Sequence, residues 1–133
     1  MILLDTHVLV WLDEGCNRLS SATIAMIDQA LAQEKLGVSA ITFWEVAMLL
    51  NKKRLELTIP PSVWRKNLLD SGLREIAVTG ATGIRAASLE NFHGDPADRI
   101  ITATALEHAA LLITGDTKIL AWPGLEHKHD PGA

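Results

Sequence analysis

The sequence predicts an α/β fold: a three-layer α/β/α domain around a mainly parallel central sheet of four or five strands. Three observations carry that prediction. Short apolar runs punctuate the chain at residues 1–5, 36–40 and 111–114, with a further strand within the mixed stretch 73–78, and runs without polar alternation suit parallel strands covered on both faces. The segments between them place apolar residues at three-to-four spacing, and strands that alternate with such helices belong to βαβ units. Two of the runs, Met1-Ile2-Leu3-Leu4-Asp5 and Leu111-Leu112-Ile113-Thr114-Gly115-Asp116, also end in a carboxylate. Ligands of open α/β sheets collect beyond the carboxyl ends of the strands, so two neighbouring parallel strands would present both acids to one crevice.

In chain order, the first strand ends at Asp5 and a helix follows over residues 6–12, apolar on most sides, with Gly15 placed to stop it. Ser20 or Ser21 caps a second helix whose apolar face comprises Ala22, Ile24, Ala25, Ile27, Ala30 and Leu31. Residues 36–40 form the second strand. Thr42 opens a third helix running to about Lys52, where Lys52, Lys53 and Arg54 suit the negative end of the helix dipole. Pro60-Pro61 favours an extended approach and then a helix start; that helix turns Val63, Trp64, Leu68 and Leu69 inward and finishes near Gly72. A third strand falls within residues 73–78, Thr79 caps a helical segment over residues 80–89, and residues 90–94 form a loop. Asp95-Pro96 restarts the helical pattern through Ile100, Ile101, Ala103, Ala105, Leu106 and Ala109, ahead of the strand at residues 111–114. Beyond Pro123 one edge strand is expected at residues 125–127, with a frayed tail from Lys128.

The 133 residues are 48% hydrophobic and 21% charged, which suits one globular domain, residues 1–133, with a proper core. No apolar run approaches the roughly 18 residues of a spanning helix. The start lacks a basic region ahead of an apolar one, so a cytoplasmic location is expected. The single cysteine, Cys16, excludes an internal disulfide and a cysteine zinc cluster, and it reads as a small, partly buried side chain. A net charge of −4 argues against a protein that coats nucleic acid through charge alone. It does not exclude a nuclease, because carboxylates that hold a divalent ion concentrate negative charge that the ion then reverses.

Four acids stand where composition does not require them: Asp5, Glu45, Asp98 and Asp116. Each has a local explanation. Asp5 and Asp116 follow strands, where a carboxylate caps a helix start by accepting backbone N–H bonds. Glu45 completes Thr42-x-x-Glu45, the pattern of a capping box. Asp98 lies in Asp95-Pro96-Ala97-Asp98, a cap followed by proline and an acid in the first turn. Capping leaves unexplained that all four fall at a strand end or in a helix first turn, positions sharing one edge of a right-handed βαβ sheet. Crowded carboxylates raise one another's pKa, so a cation is needed to keep the cluster charged at neutral pH. Oxygen ligands without cysteine or paired histidine select hard ions, Mg²⁺ or Mn²⁺ in place of zinc. Such an ion polarises a phosphoryl group and acidifies bound water, the chemistry of phosphodiester hydrolysis.

Four ordered segments carry a resemblance: Met1-Ile2-Leu3-Leu4-Asp5-Thr6-His7, Ser39-Ala40-Ile41-Thr42-Phe43-Trp44-Glu45, His93-Gly94-Asp95-Pro96-Ala97-Asp98-Arg99 and Leu112-Ile113-Thr114-Gly115-Asp116. Together they resemble the motifs of PIN-domain ribonucleases, above all the VapC toxins of bacterial and archaeal toxin-antitoxin pairs. The resemblance spans essentially the whole chain, with order and approximate spacing kept. It implies that Asp5, Glu45, Asp98 and Asp116 form the catalytic, metal-holding site. Thr6 and Thr114 follow as supporting hydroxyls, and Asp95 and Arg99 as further members of the matching Asp-Pro-x-Asp-Arg segment. Gly115 stands where the family often has other small residues. The resemblance also implies Mg²⁺ or Mn²⁺ dependence, endonucleolytic cutting of RNA, a homodimer, and inhibition by a cognate antitoxin protein.

Two other readings compete. A non-catalytic PIN-like protein that binds RNA or a partner is opposed by the intact acids. A phosphohydrolase or receiver-like domain with Asp5 as covalent acceptor is opposed by His7, which stands where a haloacid-type phosphatase has its second acid. For His7 and His93, polar or packing roles are favoured over proton transfer. Trp11 and Trp44 fall on predicted apolar faces, which points to packing before base stacking. Lys52-Lys53-Arg54 reads as a solvated helix end before a phosphate contact, and His127 and His129 as a polar tail. No phosphate-cradling glycine loop or nucleophile elbow is present.

Overall fold

The first apolar run becomes the middle strand of the sheet. The computed structural model describes residues 1–133 and contains strands β1 (Ile2–Leu4), β2 (Leu36–Ser39), β3 (Arg74–Ile76), β4 (Leu111–Ile113) and β5 (Lys128–His129). They pair in the order β3-β2-β1-β4-β5, every pair parallel. Leu3, Leu4, Val38, Leu112 and Ile113 are fully buried, which is why these strands show no polar alternation. Leu4 is in register with Val38 on one side and Ile113 on the other. The three central strands therefore end level, and whatever follows them shares one edge.

Seven helices connect the strands: α1 (Thr6–Glu14), α2 (Ser21–Ala32), α3 (Ile41–Asn51), α4 (Pro61–Asp70), α5 (Gly80–Ala87), α6 (Pro96–Glu107) and α7 (Thr117–Ala121). Side chains of adjacent strand residues point to opposite faces, and two cores result. Leu4, Val38 and Ile113 pack with Val8, Leu9, Ile27, Val46 and Trp64. Leu3 and Leu112 pack with Phe92, Ile101, Ala105, Ile119 and Leu125. Each fully buried aliphatic side chain contributes roughly 1.5–3 kcal/mol, so the edge that carries the acids rests on a rigid base. No helix is long and apolar enough to cross a membrane.

Most helix starts follow the capping chemistry. Asp5, Ser20, Thr79, Asp95 and Asp116 each accept backbone N–H bonds from the first turn of the helix that follows. Gly15 closes α1 in the left-handed conformation, φ 68°, which costs a glycine little. The exceptions are α3 and α4, whose N-cap residues Ala40 and Pro60 make no side-chain cap bond; α4 starts on Pro61 instead, and the Ser39 hydroxyl accepts the Ile41 N–H of α3. The capping box read at Thr42 and Glu45 does not form, because the Thr42 hydroxyl is drawn 3.1 Å from the Thr6 hydroxyl instead.

Other expectations are corrected by packing. Trp44 is 53% exposed: α3 turns Thr42, Glu45 and Val46 inward, and residue 44 falls on the opposite side. Ile24 and Val63 are likewise exposed, lying beside the narrow buried lines of Thr23, Ile27 and Ala30 in α2 and of Trp64 in α4. The last strand forms at Lys128 and His129, not at residues 125–127, because Leu125 is taken into the core. The tail is tied down: Ser20 donates to the Pro131 and Ala133 carbonyls, and the His129 Nε2 lies 3.0 Å from the Thr23 hydroxyl. Helix α7 is one short turn directly after Asp116, in keeping with the reading of that residue as a cap.

Candidate active site

Beyond the ends of the central strands lies a polar cavity of about 250 Å³, lined by Asp5, His7, Trp11, Glu45, Asp95, Asp98, Gly115 and Asp116. The four acids singled out in the sequence thus meet at one place, delivered by four different elements. Asp5 follows β1, Glu45 comes from the second turn of α3, Asp98 from the first turn of α6, and Asp116 from the cap of α7.

Asp5 is the most enclosed of the four, 6% exposed. Its Oδ1 accepts the His7 and Val8 backbone N–H groups at 2.9 and 3.3 Å, and its Oδ2 accepts the Thr114 hydroxyl at 2.5 Å. Burial pushes its carboxyl above the ordinary range, and the Thr114 bond, the two amides and nearby His7 pull the other way. Thr114 does double work at the end of β4, since its oxygen also accepts the Asp116 backbone N–H at 3.1 Å. One fully buried hydroxyl therefore spaces two of the acids. Asp116 Oδ1 accepts from Lys118 and Ile119 N–H, and no bond within the protein engages its Oδ2.

Capping and site formation are compatible readings here. A carboxylate has two oxygens and about four acceptor positions, so Asp116 caps with one oxygen and offers the other to the cavity. Glu45, freed from capping, is buried, and its carboxyl is raised by burial against the pull of the Thr6 hydroxyl and His7. Thr6 is thereby joined to Thr42 and set against Glu45.

Asp98 is pushed up to about 6, first by burial and then by Asp95, Asp116 and Asp5, against the opposing bond to His93. The His93 Nε2 lies 2.7 Å from Asp98 Oδ2, and its ring stacks on Phe92 with centroids 4.5 Å apart. Sequence reasoning favoured a polar or packing role for His93, and the side chain has both, although Asp98 as its partner was not read. The usable signal was Asp95-Pro96: a cap that turns the chain into α6 folds the residues just before it over the first turn. Asp95 itself accepts the Asp98 backbone N–H and adds a further negative charge to the wall.

Arg99 stands apart from the acids. Its guanidinium donates to the carbonyls of Ala86, Leu89, Phe92 and His93, so its charge is spent tying the loop before α6 to α5. Arg99, which the resemblance carries as a member of the Asp-Pro-x-Asp-Arg segment, thus supports the loop and not the acids directly. The chain's ion pairs are Arg65–Glu75, Lys66–Asp70 and His93–Asp98, and none brings a lysine or arginine to Asp5, Glu45 or Asp116. Ligand atoms of His93, Asp98 and Asp116 lie within 4.8 Å of one another. Carboxylates raised by burial, uncompensated by cations and holding oxygens in reserve, fit a hard divalent ion.

The PIN domain profile matches residues 2–124. The chain belongs to the PIN-domain family. This PIN domain is 36% identical over 129 residues to Ribonuclease VapC22 of Mycobacterium tuberculosis, covering 96% of this chain and 92% of that protein. Its fold is shared with VapBC2 from Rickettsia felis bound to a DNA fragment from their promoter, at a TM-score of 0.69 and 17% identity over 98% of this chain and 100% of that one. A toxin-antitoxin complex from Klebsiella pneumoniae gives a TM-score of 0.63 and 24% identity, with 98% of each chain covered.

Proposed function

We propose that this PIN-domain protein is a metal-dependent endoribonuclease that hydrolyses RNA phosphodiester bonds and acts as the toxin of a VapBC-type toxin-antitoxin pair. The observation that carries the reading is the meeting of Asp5, Glu45, Asp98 and Asp116 in one cavity that no lysine or arginine side chain neutralises. The likeness to a VapC ribonuclease supports RNA as the substrate. The toxin-antitoxin complexes that share the fold support a cognate antitoxin as partner, and a homodimer is part of the same reading.

Asp5, Asp98 and Asp116, with Glu45, would hold Mg²⁺ or Mn²⁺, the hard ions that carboxylate oxygens suit. When bound, the ion supplies Lewis-acid polarisation of a phosphoryl oxygen and a more acidic water. The protein's own groups prepare that site. The Thr114 hydroxyl and two backbone amides favour the ionised form of Asp5 and fix its direction. His93 does the same for Asp98, and the Thr6–Thr42 pair backs Glu45. Thr114 also fixes the start of the turn that carries Asp116. Because these groups are set before substrate arrives, little reorganisation is left for the reaction.

The test is cleavage of a labelled RNA by purified protein with Mg²⁺ or Mn²⁺, with excess EDTA, and with Asp5→Asn. Cutting that needs the ion and falls by at least about a hundredfold in Asp5→Asn is the expected result. Cutting that survives chelation, or proceeds at wild-type rate in Asp5→Asn, overturns the reading. RNA that is bound but never cut would favour the non-catalytic alternative.

A further inference from the structure

A groove of about 560 Å³ leaves the acidic cavity between α1 and α3, shares His7, Trp11, Glu45 and Asp95 with it, and ends at Lys52 and Arg54. Resting on the ribonuclease reading above, we propose that this groove is the track for the single-stranded RNA flanking the bond that is cut. Trp11 stacks a base where the strand leaves the cavity, and Lys52 and Arg54 take its phosphates.

Three features of the groove support that occupant. The first is its charge. Lys52 and Arg54 are exposed and take no part in the chain's ion pairs, and with Glu14 at the end of α1 as the one acid beside them, the far end of a path that begins among carboxylates keeps a net positive charge. A polyanion whose one phosphate is held at the acidic end through a cation meets direct cationic partners at the other. Between the two ends, Val10, Met48, Leu49 and Leu55 give an apolar wall, a surface for bases and not for phosphates.

The second feature is Trp11, whose indole sits at the junction of cavity and groove. Its ring edge packs against Gly115 so closely that a Cβ there would lie 3.1 Å from it. The Arg18 guanidinium lies 4.9 Å from the ring centroid. Glycine at position 115 thus lets a large aromatic ring approach the acids, and the ring is held from two directions. Base–aromatic stacking is tolerant of sequence and needs such a fixed platform.

The third is continuity. A strand cut inside the cavity must leave it, and this groove shares four wall residues with the cavity. A polypeptide could lie on the apolar wall, but the free cations and the aromatic platform beside the acids favour a nucleic acid.

The experiment measures cleavage of a single-stranded oligoribonucleotide by the full-length, metal-loaded protein as a function of salt. Lys52→Ala/Arg54→Ala is compared with wild type and with Lys35→Ala, whose exposed lysine lies at the opposite sheet edge. Each single-strand phosphate contact contributes about 0.7 to the slope of log affinity against log salt, so the double variant loses about 1.4. Across a fourfold rise in salt, its KM climbs about sevenfold less than that of wild type. At low salt its KM is raised while kcat is retained, and Lys35→Ala behaves as wild type. Trp11→Ala raises KM between about fivefold and a hundredfold, and Trp11→Phe, which keeps a ring, recovers most of the loss. Wild-type slope and KM in the double variant and in Trp11→Ala, with wild-type protein cutting normally, overturn the groove and leave the ribonuclease reading intact. Unchanged cleavage together with lost copurification of a co-expressed antitoxin assigns the groove to a polypeptide and equally overturns it. No cleavage by wild-type protein removes both readings.

Discussion

Replacing Asp98 by asparagine should stabilise the metal-free protein at neutral pH while it abolishes activity. Burial among Asp95, Asp116 and Asp5 raises Asp98 from its ordinary 3.8 to about 6. In the metal-free state, the folded protein therefore holds a proton over a pH range where the unfolded chain has released it. Stability falls as pH rises through that window, and the full penalty is present above the folded value. A tenfold change in proton affinity is about 1.4 kcal/mol, so the rise from 3.8 to about 6 costs about 3 kcal/mol at neutral pH. Solvent reaches 17% of the side chain and screens part of this, leaving about 2 kcal/mol. Asparagine keeps an oxygen for the His93 N–H and carries no charge. Asp98→Asn should then melt about 5 to 8 °C above wild type near pH 7.5 in EDTA, and level with it near pH 3, below the unfolded value of 3.8. Thermal denaturation followed by circular dichroism at both pH values reads this directly. Mn²⁺ should raise the melting temperature of wild type near pH 7.5 and leave that of the variant unchanged. A variant that is no more stable than wild type near pH 7.5 would refute the view of Asp98 as a strained, buried acid.

Thr114→Val removes both the donor to Asp5 and the acceptor for the Asp116 N–H at a fully buried position. It should cost about 1 to 3 kcal/mol in urea unfolding and lower kcat more than it raises KM, and Thr114→Ser should restore most of both. Arg99→Lys keeps the charge and loses the planar fork that reaches four carbonyls. A loss of about 2 kcal/mol is expected, with faster amide exchange in residues 88–93; unchanged exchange would count against the tether. Leu4→Ala, at the centre of the sheet and fully buried, should cost about 2 to 5 kcal/mol in the same unfolding assay.

How far the sequence disclosed this structure depended on whether a feature was local or a matter of packing. The β1 and β4 runs were legible because a strand buried on both faces has no polar residue to blur it, and Asp5, Thr79 and Asp95 because capping is a short-range pattern. What failed was set by distant partners. The Thr42-x-x-Glu45 spacing is indistinguishable from a capping box until Thr6 is seen to engage Thr42. Trp44 looked like core because α3 is apolar nearly all round, and only the sheet decides which side is buried. Strand β5 has two residues, too few for periodicity to register. Arg99 sits one residue from an acid in sequence, yet its guanidinium is drawn to the carbonyls of the loop before α6.

The most direct measurement of the central claim is anomalous diffraction from crystals soaked in Mn²⁺. The predicted result is a peak inside the cavity bounded by Asp5, Glu45, Asp98 and Asp116, lost in crystals of Asp5→Asn. Manganese bound only elsewhere on the surface, or an unchanged peak in Asp5→Asn, would contradict it.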